Sequence, residues 1–95
     1  MNLDKLRNEI DRIDDELINL FRRRMEVVVQ VAEYKKANNV PTLDKGREEA
    51  KIMALAKKLP PELSTYVYPL YDTLFEISRN YQQKHQVDNS PNEVI

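Results

Sequence analysis

From Leu3 onward one series runs without a break: Leu3, Leu6, Ile10, Ile13, Leu17, Leu20, Arg24, Val27, Val31 and Tyr34. Its steps alternate three and four residues, the a/d seam of a helix packed lengthwise on other helices. No proline or glycine interrupts residues 2 to 40, and Asn38 and Asn39 ahead of Pro41 supply a stop. About 35 helical residues at ~1.5 Å each span roughly 52 Å. A compact domain of this length has a radius of gyration of only ~12 Å, hence a diameter of roughly 30 Å. The helix therefore overhangs its own domain, and a second copy of the chain is the simplest way to bury the far end of the seam. A plain coiled coil is the bland alternative.

The rest of the chain also reads as helix. Asp44 to Leu59 forms a shorter one, with Asp44 as N-cap, Ile52, Leu55, Ala56 and Leu59 as its apolar face, and Pro60 and Pro61 as its end. A third helix starts between Pro61 and Thr65 and runs to about Gln86, with a core stripe of Leu63, Val67, Leu70, Leu74, Ile77 and Tyr81. Pro69 suits only the first turn or so of that helix, and an earlier start implies a kink. A neighbouring stripe, Tyr71, Phe75, Ser78 and Gln82, begins aromatic and turns polar. One glycine and 33% charged residues leave little material for tight β-turns, which fits an all-α chain. With no cysteine, neither disulfides nor thiolate–metal sites can brace so small a core. Help must come from a partner chain or from unusually good helix packing. We expect one domain over residues 1–86 and a flexible tail over residues 87–95, where periodicity is lost.

A net charge of −1 argues against a general nucleic-acid binder. No signal-peptide pattern opens the chain and no apolar run approaches ~18 residues, so a soluble, cytoplasmic protein is expected. There is no Gly-rich phosphate loop, no HExxH pattern, no metal site, and no His and Asp arrangement around Ser64 or Ser78 for nucleophilic catalysis. His85 has no ligand spacing around it.

What remains is a set of cations. Arg24 sits in the seam where an apolar residue is due, and burying it without an anion costs several kcal/mol by rough estimate. Its carboxylate partner belongs either to the protein, as a structural ion pair, or to a ligand, and the pattern does not choose. Lys35, 11 residues on, returns to nearly the same face ~16 Å away, so that both side chains reach one small anion between them. Arg7 lies ~25 Å before Arg24 and ~42 Å from Lys35 along the axis, too far to share that anion within one chain. In an antiparallel dimer it serves the other chain's site. Residues 43–50, LDKGREEA, add Asp44, Arg47 and Glu48 at a helix start, together with the chain's one glycine, Gly46, read as allowing close approach of backbone or substrate. Such a set suits a small polyanion and a reaction that needs orientation and electrostatic stabilisation without a nucleophile.

These residues resemble the all-helical (AroQ) class of chorismate mutases. The matching pieces are LRNEIDRIDDELINLFRRRMEVVVQVAEYK, then P-x-x-D-x-x-RE at Pro41 to Glu48, then EISRNYQ at Glu76 to Gln82, in the family's order and covering residues 3 to 83. The resemblance implies three helices per chain, one very long, one short and one medium, in an intertwined homodimeric bundle with two equivalent sites. It implies conversion of chorismate to prephenate by a concerted rearrangement, without cofactor or metal, on the way to phenylalanine and tyrosine. Carried over by position, Arg24 and the partner's Arg7 grip the two carboxylates, and Lys35 and Gln82 donate to the ether oxygen. Glu48 accepts from the ring hydroxyl, with Asp44 nearby. Arg47 positions Glu48 and binds a carboxylate, Ser78 contacts a carboxylate, and Val31 packs on the substrate. The connection between the second and third helices is about two residues shorter than in bifunctional bacterial members.

Two rival readings stand beside this one. Isochorismate-pyruvate lyase shares the fold and most of the cations, but in that relative the D-x-x-R-E segment is not kept in the form seen at Asp44, Arg47 and Glu48. A non-enzymatic helical dimerisation module explains the seam but not Arg24 within it.

Overall fold

The computed structural model describes residues 2–41 and 43–88, with side-chain environments up to His85. The chain forms α1 (Leu3–Ala37), α2 (Lys45–Ala56), a single turn α3 (Pro61–Ser64) and α4 (Val67–Asp88), with no strand among the described residues. The all-α expectation holds, and α1 is 35 residues long. The predicted third helix is divided in two, and α4 runs two residues past Gln86. The remainder of the predicted tail, 89–95, lies outside the described residues.

Each boundary has a local cause. Asn2 Oδ1 accepts from the Asp4 N–H at 2.8 Å and caps α1. At the other end Asn38 Nδ2 donates to the Tyr34 carbonyl at 2.9 Å, and Asn39 turns left-handed at φ 56°, a conformation asparagine tolerates. Asp44 Oδ1 accepts from the Arg47 N–H at 3.0 Å, the expected N-cap of α2. That helix ends at Ala56 rather than Leu59. Lys58 N–H bonds Leu55 O at 3.0 Å and Leu59 N–H bonds Ala56 O at 3.2 Å, a tightened closing turn ahead of two prolines. In an unbroken third helix the Pro69 ring would meet the Thr65 carbonyl, and the chain breaks at Thr65–Tyr66. Pro69 then falls in the first turn of α4, where its missing N–H has no helical partner to lose.

α4 packs on both α1 and α2. Ile52, Val67 and Phe75 form the buried cluster between α2 and α4, with Leu55, Ala56 and Tyr71 against it. Tyr71 and Phe75 meet edge to face at 5.6 Å.

The stripe that α4 turns inward is not the expected one. Tyr71, Phe75, Ser78 and Gln82 face the chain's own interior, whereas Leu63, Leu70, Ile77 and Tyr81 stay exposed. Of the expected core stripe only Val67 is buried and Leu74 half-buried. The same offset occurs on α1. Its buried residues are Met25 and Ala32, flanked by half-buried Val28 and Lys35, a stripe one position on from the seam and so rotated by about 100°. The seam stays open to solvent, with Leu17 57% and Leu20 54% exposed. The chain extends 61 × 28 × 16 Å with a radius of gyration of 17.3 Å, against ~12 Å for a compact domain of this length. No helix among the described residues is long and apolar enough to cross a membrane.

Candidate active site

The inner stripe of α4 ends in two polar side chains, and both are buried: Ser78 and Gln82 are each 7% exposed. Burying such groups costs free energy unless each finds a partner. Arg24 Nη1 donates to Ser78 Oγ at 2.6 Å, and Ser78 Oγ donates in turn to the Leu74 carbonyl at 2.7 Å. The Arg24 guanidinium also lies 5.8 Å from the Phe75 ring centroid. Among the described residues no carboxylate of the protein pairs with Arg24. Gln82 Nε2 donates one hydrogen to the Val28 carbonyl at 3.2 Å, and its amide nitrogen carries a second.

Above these contacts lies a cavity of 160 Å³ between α1, α2 and α4. Arg24 and Lys35 line it from α1, Arg47 and Glu48 from α2, and Ser78 and Gln82 from α4, with the capping Asp44 at its edge. Three helices thus bring one polar set together from positions up to 58 residues apart in sequence (Arg24 to Gln82). Two expected site residues are not brought there. Val31 is 40% exposed and away from the cavity, and Val28 supplies the apolar wall of α1 instead. The cause is the same rotation, since Val31 is a seam residue and Val28 belongs to the inner stripe. Arg7 is exposed near the start of α1, far from the cavity, as the axial distances require.

Arg79 also lines the cavity, and the motif reading passed over it although EISRNYQ contains it. Its Nη1 reaches both oxygens of Glu48, at 2.8 and 2.6 Å. The expectation that Arg47 positions Glu48 is therefore corrected: the guanidinium paired with that carboxylate is Arg79. Spacing places Arg79 three residues before Gln82, on a neighbouring part of the same face, but does not name Glu48 as its partner. Lys51 was likewise missed, three residues after Glu48 and lining the same cavity. Gly46 is ordinary. Its φ is not positive, and a Cβ there would meet only Asp44 Oδ1, at 3.6 Å.

The cavity is thus cationic in balance, with two acids on the α2 side. It offers guanidinium forks for carboxylates, an ammonium and an amide as further donors, and a carboxylate as acceptor. Among the described residues no group of three or more His, Asp or Glu side chains is placed to hold a metal ion.

The family model for chorismate mutase type II matches residues 6–83. The chain belongs to the chorismate mutase type II family. The matched span takes in α1 from residue 6, all of α2, and α4 up to residue 83, and so every residue lining the 160 Å³ cavity. Over 52 residues the chain is 44% identical to the T-protein of Haemophilus influenzae, which is 55% of this chain and 14% of that protein. Over 45 residues it is 40% identical to the 4-amino-4-deoxychorismate mutase of Streptomyces venezuelae, 47% of this chain and 44% of that protein. The chain spans less than half the length of either relative. No solved structure matches it at a significant level.

Proposed function

We propose that this member of the chorismate mutase type II family converts chorismate to prephenate, in the route to phenylalanine and tyrosine. The observation that carries the reading is the cavity itself: Arg24, Lys35 and Gln82 face Glu48 across one small polar space. Chorismate carries two carboxylates, an enol ether oxygen and one ring hydroxyl. Arg24 grips a carboxylate. Lys35 and the second N–H of Gln82 donate to the ether oxygen, where negative charge grows as the C–O bond breaks. Glu48 accepts from the hydroxyl. Holding the side chain folded over the ring supplies the near-attack geometry, and no nucleophile is needed.

The working unit in this reading is a homodimer. The apolar seam of α1, from Leu3 to Leu20, is solvent-exposed on a single chain, as are Leu70, Ile77 and Tyr81 of α4. A second copy covers these faces and brings its Arg7 to the other carboxylate.

The test is a cofactor-free assay of chorismate disappearance, with the product identified, on wild type and Arg24→Ala. Prephenate formed by wild type, with a loss of at least about a hundredfold in Arg24→Ala, is the expected result. Pyruvate released from isochorismate instead would assign the site to the lyase reaction. No turnover of either compound would leave a dimerisation module.

A further inference from the structure

Glu48 does not enter the cavity alone. One nitrogen of Arg79 bonds both of its oxygens, and the two side chains are only 32% and 24% exposed. The pair is also a partition. Arg79 and Glu48 also line a second cavity of 260 Å³, together with Lys45, Glu49 and Asp72. Neutralising Arg79 would leave the carboxylates of Glu48, Glu49 and Asp72 facing Lys45 alone in that second lining.

The chemistry of the substrate says what that end meets. At neutral pH chorismate has ionised carboxylates and an ether oxygen, all acceptors, and a single donor, the ring hydroxyl. A carboxylate in the cavity serves only that hydroxyl. Of the two acids, Asp44 is exposed and caps α2 through the Arg47 N–H, whereas Glu48 is half-buried in the cavity wall and keeps lone pairs on both oxygens beyond those used by Arg79. A neutral hydroxyl can donate to a carboxylate that is already ion-paired. An amine in the same place is an ammonium near neutral pH. It gains little from a neutralised carboxylate and meets Arg79, with Lys51 nearby, as like charges.

We propose that Arg79 is a specificity-determining residue, which through Glu48 fits the site to a ring hydroxyl and turns away the analogue bearing a ring amine. The proposal rests on the mutase reading above. Arg79 acts through another side chain, so the readout is a ratio between substrates and not activity alone.

The experiment measures kcat/KM for chorismate and for 4-amino-4-deoxychorismate with wild type, Arg79→Met and Arg79→Lys. Methionine keeps the length of the partition without its charge. Wild type should favour chorismate by about tenfold or more, and Arg79→Met should shrink that preference by about tenfold, the scale of one partly screened charge. Arg79→Lys should hold the preference within about threefold of wild type. An unchanged ratio in folded Arg79→Met, or an equal shift in Arg79→Lys, would overturn the proposal. So would a wild type that uses both substrates alike, a result that needs no variant to fold. Wild type inert towards both substrates would overturn the mutase reading, a failure distinct from the others.

Discussion

Arg24 Nη1 donates to Ser78 Oγ at 2.6 Å, joining α1 to α4 across 54 residues of sequence. A serine is a weak partner for a half-buried guanidinium, since it supplies a lone pair and no charge. Among the described residues no carboxylate pairs with Arg24, and in the mutase reading a substrate carboxylate supplies that anion. Arg24→Leu separates the readings sharply. Leucine restores the apolar seam and leaves Ser78 its bond to the Leu74 carbonyl. We expect a stability within about 1 kcal/mol of wild type or above it, and a kcat/KM for chorismate reduced by about a thousandfold or more. Thermal melts beside a product assay decide it. A folded variant of undiminished activity would remove Arg24 from the site.

Gln82 makes a prediction about pH. Its amide donates to the Val28 carbonyl and keeps a second N–H, and neither donor titrates. Between mild acid and neutral pH, wild type should lose no activity attributable to this position. In Gln82→Glu the carboxyl is buried against the same carbonyl, which favours the protonated form and raises its pKa. The protonated form alone can donate, so the variant should be active in mild acid and lose kcat as pH rises through that titration. A pH–rate profile for each protein tests the difference. A fall in wild type across this range that only a change at Gln82 abolishes would contradict the assignment.

The long first helix and the caps were legible because each depends on local spacing. Asn38, Asn39 and Asp44 act where their positions said they would. Which stripe of α1 meets α4 was not legible, because the helix carries two overlapping series in its second half. Leu17, Leu20, Val27 and Val31 form one, and Ile18, Phe21, Met25, Val28 and Ala32 the other. Periodicity finds both and does not say which is covered by the same chain. The cation set was legible from Arg24, an odd residue in an apolar series. Arg79 was not, because a charged residue late in a helix ordinarily faces water, and only the fold shows Glu48 waiting 31 residues upstream.

Gly46 invites a test because its identity has no structural cause. It sits in the first turn of α2, and its φ is not positive, so the backbone there is open to any residue. A methyl group in place of its hydrogen would meet no atom nearer than Asp44 Oδ1, at 3.6 Å. Gly46→Ala should stabilise the chain by about 0.5 kcal/mol, a rise of roughly 2–4 °C in Tm. Because Gly46 does not line the cavity, kcat/KM should stay within about twofold of wild type. A loss of turnover in a folded Gly46→Ala would mean that the glycine makes room for the substrate.

Arg7 and Arg24 offer the most direct test of an interlocked dimer. Within one chain they lie ~25 Å apart along α1, and only Arg24 reaches the cavity. If each site takes Arg24 from one chain and Arg7 from its partner, Arg7→Ala and Arg24→Ala homodimers are both defective at every site. Unfolding and refolding the two variants together in equal amounts makes about half of the dimers mixed, by random pairing of a two-fold symmetric unit. In a mixed dimer one site receives Arg24 from the first variant and Arg7 from the second, and is whole. The other site lacks both. Activity should therefore return to about a quarter of that of wild type refolded in the same way. If both arginines served the same chain's site, or if Arg7 had no part in catalysis, the mixture would show only the average of its parents. Sedimentation of the mixture beside the assay confirms that dimers have formed.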